Sequence, residues 1–546
     1  MSKIAHYLQE HLLGEVMTSG DARDYFSKDQ SVFSIAPAVI VYPRNENDIR
    51  KTARFSWQLA ERNRILPITA RGSGTDTTGA ALGSGLIIVF PAHLHHILEL
   101  DSKTGEVTVE AGINFSKLQQ TLQTHGRYIP AYPASIEYST LGGAVANNVS
   151  GEKSYKYGSI SNYVKSLRVV LANGEVIETE RLSKRDLSKK LGLATFEGEV
   201  YRAVDTLIEE NKDLINGSVL NLTRNNAGYN LADVKNHDGS FDLTPLFMGS
   251  QATLGLVEEI TLKSEVYNPN STLVMAGLDN LDDLQAIINR LREFKNIPAS
   301  VEIVNKDLIE SCMAINPNQF KDSLSGTLNN FYLFVEFDIA NDHQMKKTLK
   351  QFTKLLDKAA SSYQVETEPE LQQKLIKVRE ASSIYLAHSD NFKKALPLIE
   401  DCVVPPDQLA ELIRGSEAIF KKINIDSLAI WGHAGDGNIH IQPQLNLSQV
   451  GDRQKAFKLM DEYFKLIISL GGSISGEHND GRLKTPYLET QYGTEFYALM
   501  LKVKQVFDPY NILNPGVKFN TSTEDIKAIL ANDFNLGSLY TFLPRT

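Results

Sequence analysis

Short apolar runs separated by glycine-rich turns fill residues 38–260, and their spacing assigns most of the elements. Ile4, Leu8 and Leu12 recur every four residues, which predicts a short amphipathic helix within the first fourteen. The run 38–42 reads as a strand ending at Pro43, and Ile49, Ala53 and Trp57 fall at helical spacing within 47–63. Further strands are expected at 65–69, 86–90, 97–100 and 107–110, and Leu118 and Leu122 mark a helix closing at Gly126. Apolar runs at 166–171 and Val176–Thr179 flank Asn173-Gly174, a pair suited to the positive φ angles of a type I′ turn, and predict a hairpin.

From about residue 271 the texture changes, and long helices alternate with strands. Strands are expected at 272–276, 300–304 and 330–338, with helices at 281–294 and from 338 to about 360. Asn268, Pro269 and Asn270 supply turn chemistry for a boundary near 265–272. A last helix, 495–508, stops before Pro509 and the segment Asn511-Ile512-Leu513-Asn514-Pro515-Gly516.

Length bounds the organisation of the chain. Its 546 residues suggest three or four domains, or two large ones, at roughly 150 residues each. The 56 basic against 66 acidic side chains leave a net charge of −10, which argues against a nucleic-acid binder. Only two cysteines occur, Cys312 and Cys402. That excludes a disulfide framework, a four-cysteine zinc site and an iron–sulfur cluster held by this chain alone. The first residues carry His6, Glu10 and His11 and do not read as a secretory signal. No run approaches the length of a membrane span. The expected compartment is the cytoplasm, with contact to a membrane surface left open.

Three glycine-rich pieces mark the first half. Arg71-Gly72-Ser73-Gly74-Thr75-Asp76-Thr77-Thr78-Gly79 follows a predicted strand. Such a loop can turn several N–H groups into one anion-binding concavity, or it can be a plain turn. It matches neither the dinucleotide fingerprint nor a P-loop. The second piece runs from Tyr132-Pro133 through Thr140-Leu141-Gly142-Gly143 to Asn147-Asn148, followed by Tyr157-Gly158-Ser159. Its small residues let the backbone approach a bulky planar ligand. The third is Gly249-Ser250-Gln251-Ala252-Thr253-Leu254-Gly255-Leu256-Val257.

The second half holds the polar motifs. In Trp431-Gly432-His433-Ala434-Gly435-Asp436-Gly437-Asn438-Ile439-His440-Ile441-Gln442, alternation puts Asn438, His440 and Gln442 on one strand face. The glycine turn can bring His433 toward His440, as metal ligands, as an acid–base pair or as two unrelated histidines. Ser473-Ile474-Ser475-Gly476-Glu477-His478-Asn479-Asp480-Gly481-Arg482 sets a carboxylate beside an imidazole. His433, His440 and Glu477 would make a two-histidine, one-carboxylate set with open positions, suited first to zinc and also to manganese or iron. A third group, Val378-Arg379-Glu380-Ala381-Ser382-Ser383 with Lys393-Lys394 and Glu400-Asp401, reads in isolation as a solvated helix face. Its arginine fork and lysine charge also suit a carboxylate.

The three glycine-rich pieces resemble the FAD-binding domain of the vanillyl-alcohol-oxidase and p-cresol-methylhydroxylase (PCMH) type. The second-half motifs resemble FAD-linked 2-hydroxyacid dehydrogenases, a group of D-lactate dehydrogenases, the glycolate oxidase flavin subunit and D-2-hydroxyglutarate dehydrogenase. The resemblance implies an α+β chain. A helical segment 1–37 leads into a two-subdomain PCMH-type FAD domain 38–267. A substrate-binding cap 268–485 follows, with an antiparallel sheet flanked by helices. A helical segment 486–546 returns to the FAD domain.

The resemblance also implies site roles. The FAD contacts are Arg71, Gly72, Ser73, Gly74, Thr75, Asp76, Pro133, Thr140, Gly143, Asn147, Gly158, Ser159 and Asn514. Some members anchor flavin covalently through a histidine in the first loop; Thr75 and Asp76 stand there instead, so non-covalent FAD is expected. His433, His440 and Glu477 hold a divalent metal. Arg379, Ser383, Lys394, Gln442 and His478 contact substrate, with His478 as proton acceptor. Ser383 replaces a usual threonine and Gln442 a usual asparagine, which bears on substrate choice, and Asn479 replaces a frequent glycine.

The implied reaction is oxidation of a D-2-hydroxy acid to a 2-oxo acid with hydride passing from C2 to flavin N5. Arg379 and Lys394 clamp the carboxylate, the metal polarises the hydroxyl and His478 takes its proton. Electrons leave to an external acceptor: a quinone, a carrier protein, an iron–sulfur partner subunit or oxygen. Other readings are an oxygen-using oxidase of the same fold, an ether-lipid synthase of the same superfamily and a non-catalytic flavoprotein subunit of a larger redox complex.

Overall fold

A computed structural model of the chain describes residues 3–324, 326–387, 389–390, 393–531 and 534, so the expected segment 486–546 lies partly outside the described residues. Among these, no helix is long and apolar enough to cross a membrane. The first half builds two sheets. One has four strands in the order Glu15–Met17, Val39–Tyr42, Leu86–Val89, Ile68–Arg71, the last three mutually parallel. The other has five antiparallel strands in the order Ile97–Asp101, Glu106–Glu110, Leu256–Lys263, Val164–Val170, Val176–Thr179. Leu256–Lys263 buries alternate residues, as one face packs on the core and the other does not.

The second half centres on a seven-stranded sheet. Its order is Ser362–Glu366, Thr272–Leu278, Phe331–Phe337, Ser300–Asn305, Ile430–His433, Asn438–Ile441, Cys402–Val403, every pairing antiparallel. Strand Thr272–Leu278 is buried throughout, yet period two still governs it. Val274, Ala276 and Leu278 join the large core shared with the first half. Leu273 and Met275 face a separate cluster with Tyr332, Phe334 and Val378 on the other side. Helix Leu281–Leu291 covers the shared-core side through Leu284, Ile287, Ile288 and Leu291, and Asn280 caps it by accepting from the Asp282 N–H. The α+β architecture with an antiparallel cap sheet is thus as expected. The chain also returns to the first half near its end, where Ile68 donates to the Ile512 carbonyl and Asn514 to that of Ile68.

Three local expectations change. The strand expected at 65–69 runs Ile68–Arg71, because its pairing partner Leu86–Val89 begins opposite Ile68. The Asn173-Gly174 hairpin is present, but only Gly174 has positive φ, at 83°. Gly174 donates to the Leu171 carbonyl and Leu171 to that of Glu175, so the loop is longer than a two-residue type I′ turn. The last long helix begins at Leu488, with Gly493 at φ 77° breaking it before the predicted start.

The two halves are fastened at Gly481. Its φ is +52°, and a Cβ would lie 2.3 Å from the Thr78 carbonyl oxygen. Gly481 N–H donates to Gln251 Oε1 at 2.8 Å, and Arg482 N–H to the Thr78 carbonyl at 2.9 Å. Gly481→Ala is expected to destabilise the protein by about 1–3 kcal/mol, the cost of forcing an L residue into such a position. Urea denaturation of the two proteins checks it; equal midpoints would mean that the contact yields without cost.

Candidate active site

The cap sheet delivers the histidines. Strand Ile430–His433 ends at His433, a glycine-rich turn reverses the chain, and Asn438–Ile441 returns with His433 opposite Asn438 and Trp431 opposite His440. The Gly476–His478 turn then wraps around Asp401, whose carboxylate accepts from the backbone N–H groups of Gly476, Glu477 and His478 at 3.2, 2.8 and 2.7 Å. That wrapping lets adjacent Glu477 and His478 both face the histidines. Three imidazole Nε2 atoms converge on Glu477 Oε1: His433 at 3.1 Å, His440 at 3.4 Å and His478 at 3.7 Å.

Further groups fix these rings. His433 Nδ1 lies 2.7 Å from Glu302 Oε1, and His478 Nδ1 lies 2.7 Å from Glu400 Oε1. Thr77 of the first glycine loop donates to the same Glu400 oxygen at 2.7 Å, and Gln442 Nε2 to the other at 3.2 Å. His440 Nδ1 is buried without a hydrogen-bond partner, 3.7 Å from Glu400. Arg224 reaches in from the first half. It donates to Glu477 Oε2 at 3.2 Å and to Asn438 Oδ1 at 3.1 Å, and it pairs closely with Asp436.

The electrostatics fit a cation. Burial disfavours imidazolium at His433 and His478, but Glu302 and Glu477 raise the first to about 10, and Glu400 and Asp401 raise the second to about 10. Burial raises Glu477, but the His433 charge and hydrogen bond outweigh it and hold the carboxyl well below its usual range. A buried pocket that draws protons onto two imidazoles is short of positive charge, which a divalent cation would supply while leaving the rings neutral. Ligand atoms of His433, His440 and Glu477 lie within 4.8 Å of one another, and so do those of Glu400, His440 and His478. The first set suits a metal better. Glu302 secures His433 Nδ1 and leaves Nε2 inward, the usual arrangement behind a metal-bound imidazole, whereas the Glu400 oxygens already serve three partners.

The glycine-rich pieces converge beside this cluster. Asp76 accepts from Thr78 and Ala80 N–H and from Asn147 Nδ2, and Gln251 Nε2 donates to Asn147 Oδ1 at 2.9 Å. Thr140 caps helix Leu141–Asn147 by accepting from Gly143, and a Cβ on Gly72 would sit 2.4 Å from the Thr140 hydroxyl oxygen. Asn514 staples the pieces, donating to the carbonyls of Ala80 and Gln251 and accepting from Thr69. The buried Arg71 donates to the Lys28 and Ala81 carbonyls beneath the loop. Gly158 has φ 73°, the Ser159 hydroxyl lies 2.7 Å from that of Ser161, and the Pro133 carbonyl accepts from Ile136. Gly74 has φ 79°, and Ser73 and Thr75 flank it in the loop.

The substrate set is less concentrated. Gln442 and His478 meet at Glu400. Ser383 is exposed and donates to the Glu380 carbonyl; among the described residues no contact links it to the histidines. Arg379 ion-pairs with Glu152, and Lys394 lies on strand Lys393–Ala395 beside Leu445. Glu400 and Asp401 are buried at 3% and 0% exposure, which overturns the solvated face for that pair. Sequence reasoning gave no site role to Thr77, Arg224, Glu302, Glu400, Asp401 or Asp436. One signal was present: Glu302 interrupts the apolar run Val301, Ile303, Val304 in the buried strand Ser300–Asn305, and a lone acid in a buried strand needs a partner.

A glycine-lined cradle over two sheets, closed by a cap that presents histidines, defines a two-domain flavoprotein scaffold. Residues 37–180 match the FAD binding domain and residues 268–517 the C-terminal domain of FAD linked oxidases, so the chain carries both domains. It is 29% identical to D-2-hydroxyglutarate dehydrogenase of Escherichia coli (strain K12), over 93% of this chain and 50% of that protein. It is 26% identical to D-lactate dehydrogenase of Archaeoglobus fulgidus, over 90% and 95% of the two chains. The chain thus spans about half the length of the D-2-hydroxyglutarate dehydrogenases of Escherichia coli, Haemophilus influenzae and Pantoea ananatis. p-Cresol methylhydroxylase with substrate bound shares the fold with a TM-score of 0.69 at 14% identity, over 96% and 97% of the chains.

Proposed function

We propose that the protein oxidises a D-2-hydroxy acid of the D-lactate or D-2-hydroxyglutarate type to the 2-oxo acid. The observation that carries this reading is the convergence of three imidazoles on Glu477, tied through Glu400 and Thr77 to the first glycine loop. Arg379 and Lys394 bind the substrate carboxylate. His478, its Nδ1 committed to Glu400, accepts the hydroxyl proton at Nε2. Gln442 offers its amide to the same space. Asp401 keeps Glu477 and His478 in register by gripping their backbone. His433, His440 and Glu477 are the residues that hold a divalent metal, zinc by donor type, with manganese or iron as other occupants. Bound FAD, held without a covalent link, supplies the hydride acceptor, and the metal supplies charge that stabilises the developing alkoxide. An acceptor outside the chain completes turnover by taking the electrons.

An anaerobic absorbance scan of the holoprotein with D- and L-lactate and D- and L-2-hydroxyglutarate tests the reading. One D-acid is expected to bleach the flavin band and its L-isomer to leave it. Chelation is expected to slow bleaching by about 10²-fold or more, because several kcal/mol of charge stabilisation are removed. A flavin that no hydroxy acid bleaches overturns the substrate class, and bleaching indifferent to chelation overturns the metal's part.

A further inference from the structure

Arg379, the cation assigned to the substrate, already carries a counter-ion of the chain's own. It ends helix Pro369–Arg379, and its guanidinium pairs with Glu152, both side chains being 20% exposed. Glu380 lies further off at 3.6 Å. Glu152 is held in place: the Tyr132 hydroxyl donates to its Oε1 at 2.7 Å. Its neighbour Gly151 is pinned as well. A Cβ there would lie 2.0 Å from the Tyr132 carbonyl oxygen, and the Gly151 carbonyl accepts from Arg224 at 3.3 Å. Since Arg224 also holds Glu477, Glu152 stands one residue from the shell of the histidine cluster.

Other ion pairs cross the same seam, Lys153 to Glu336 at 3.3 Å and Lys156 to Asp338 at 2.6 Å. These join the two halves. Glu152 differs in that its partner is a cation expected to meet substrate. The second such cation, Lys394, lies opposite Leu445 on strand Lys393–Ala395.

We propose that Glu152 is a specificity-determining residue: through one oxygen it pairs with one arm of the Arg379 guanidinium, and a substrate carboxylate engages both arms only by displacing it. A guanidinium offers a planar fork matched to one carboxylate at a time. An incoming anion therefore exchanges with Glu152 and also meets its repulsion, which lowers the affinity for every acid at that end of the site. Selection among acids then passes to groups that Glu152 does not touch, Lys394 first. This rests on the reading that Arg379 faces the substrate.

Calorimetric titration of the FAD-loaded protein with oxalate, an acid that cannot donate a hydride, tests the proposal without turnover. Neutral D-lactamide serves as the second ligand. Glu152→Gln keeps an acceptor for the Tyr132 hydroxyl and removes the charge, and Glu152→Ala removes both. Oxalate is expected to bind about tenfold tighter to both variants, the scale of a partly buried charge contact. D-Lactamide affinity is expected to stay within about twofold, since a neutral ligand does not exchange with the carboxylate. Unchanged or weaker oxalate binding in both variants overturns the proposal. So does a parallel change for both ligands, which would assign Glu152 to the shape of the site. Failure here is separable from failure of the proposed reaction, which flavin bleaching by hydroxy acids decides.

Discussion

Replacing His478 by alanine is expected to slow anaerobic flavin reduction by about 10²–10⁴-fold, the range of a lost general base, with FAD and metal content unchanged. The reasoning starts from the ring's two nitrogens. Nδ1 is committed to Glu400 at 2.7 Å, so Nε2 is the nitrogen free to act, and it lies 3.7 Å from Glu477 Oε1. Burial opposes the charged ring, yet Glu400 and Asp401 raise its pKa to about 10. A base must be neutral, so His478 serves only when another positive charge offsets those carboxylates. The same logic separates the roles of the neighbours. Loss of His433 or His440 is expected to lower metal content, whereas loss of His478 is expected to lower the rate alone. Stopped-flow reduction beside metal and flavin analysis reads both. A His478→Ala protein reduced at the wild-type rate would remove this residue from proton transfer.

Local pattern carried much of the site. Period-two alternation through Asn438, His440 and Gln442 and the glycine turn after His433 allowed two imidazoles to meet, and the structure brings them together. The adjacent Glu477-His478 was legible as chemistry, but not the turn around Asp401 that aims both side chains inward. What pattern could not reach was partnership across the fold. Glu302 lies 131 positions from His433, and Arg224 lies 253 from Glu477. Glu400-Asp401 looked like solvated charge because a charge run reports composition, whereas its burial depends on which strands lie over it. Ser383 shows the converse. Its motif match implied a substrate contact, yet helix Ala381–Ala387 turns its hydroxyl back onto the Glu380 carbonyl. The long apolar strands gave element type readily, while which residues served which core depended on a sheet covered on both faces.

Arg224→Met is expected to destabilise the protein by about 3–5 kcal/mol, the cost of leaving buried charges without their partner. The Arg224 side chain is only 4% exposed. Its guanidinium serves Asp436, Glu477, Asn438 and the Gly151 carbonyl, so one truncation strands two carboxylates and an amide oxygen. Burial disfavours its charge, but Asp436 and Glu477 more than compensate and raise its pKa above the ordinary value. Arg224 also fixes Glu477 Oε2, which leaves Oε1 as the oxygen facing the three imidazoles. Without it the carboxylate is free to turn, and cation retention after dialysis is expected to fall with stability. Arg224→Lys keeps a charge but loses the planar fork, so it is expected to fall between the two proteins. Urea denaturation with and without added zinc, beside elemental analysis, separates the effects. Because a cation restores charge to the stranded carboxylates, zinc is expected to stabilise the methionine variant more than the wild type. A methionine variant with wild-type stability and a full complement of metal would show that Arg224 neither supports the cluster nor holds the two halves together.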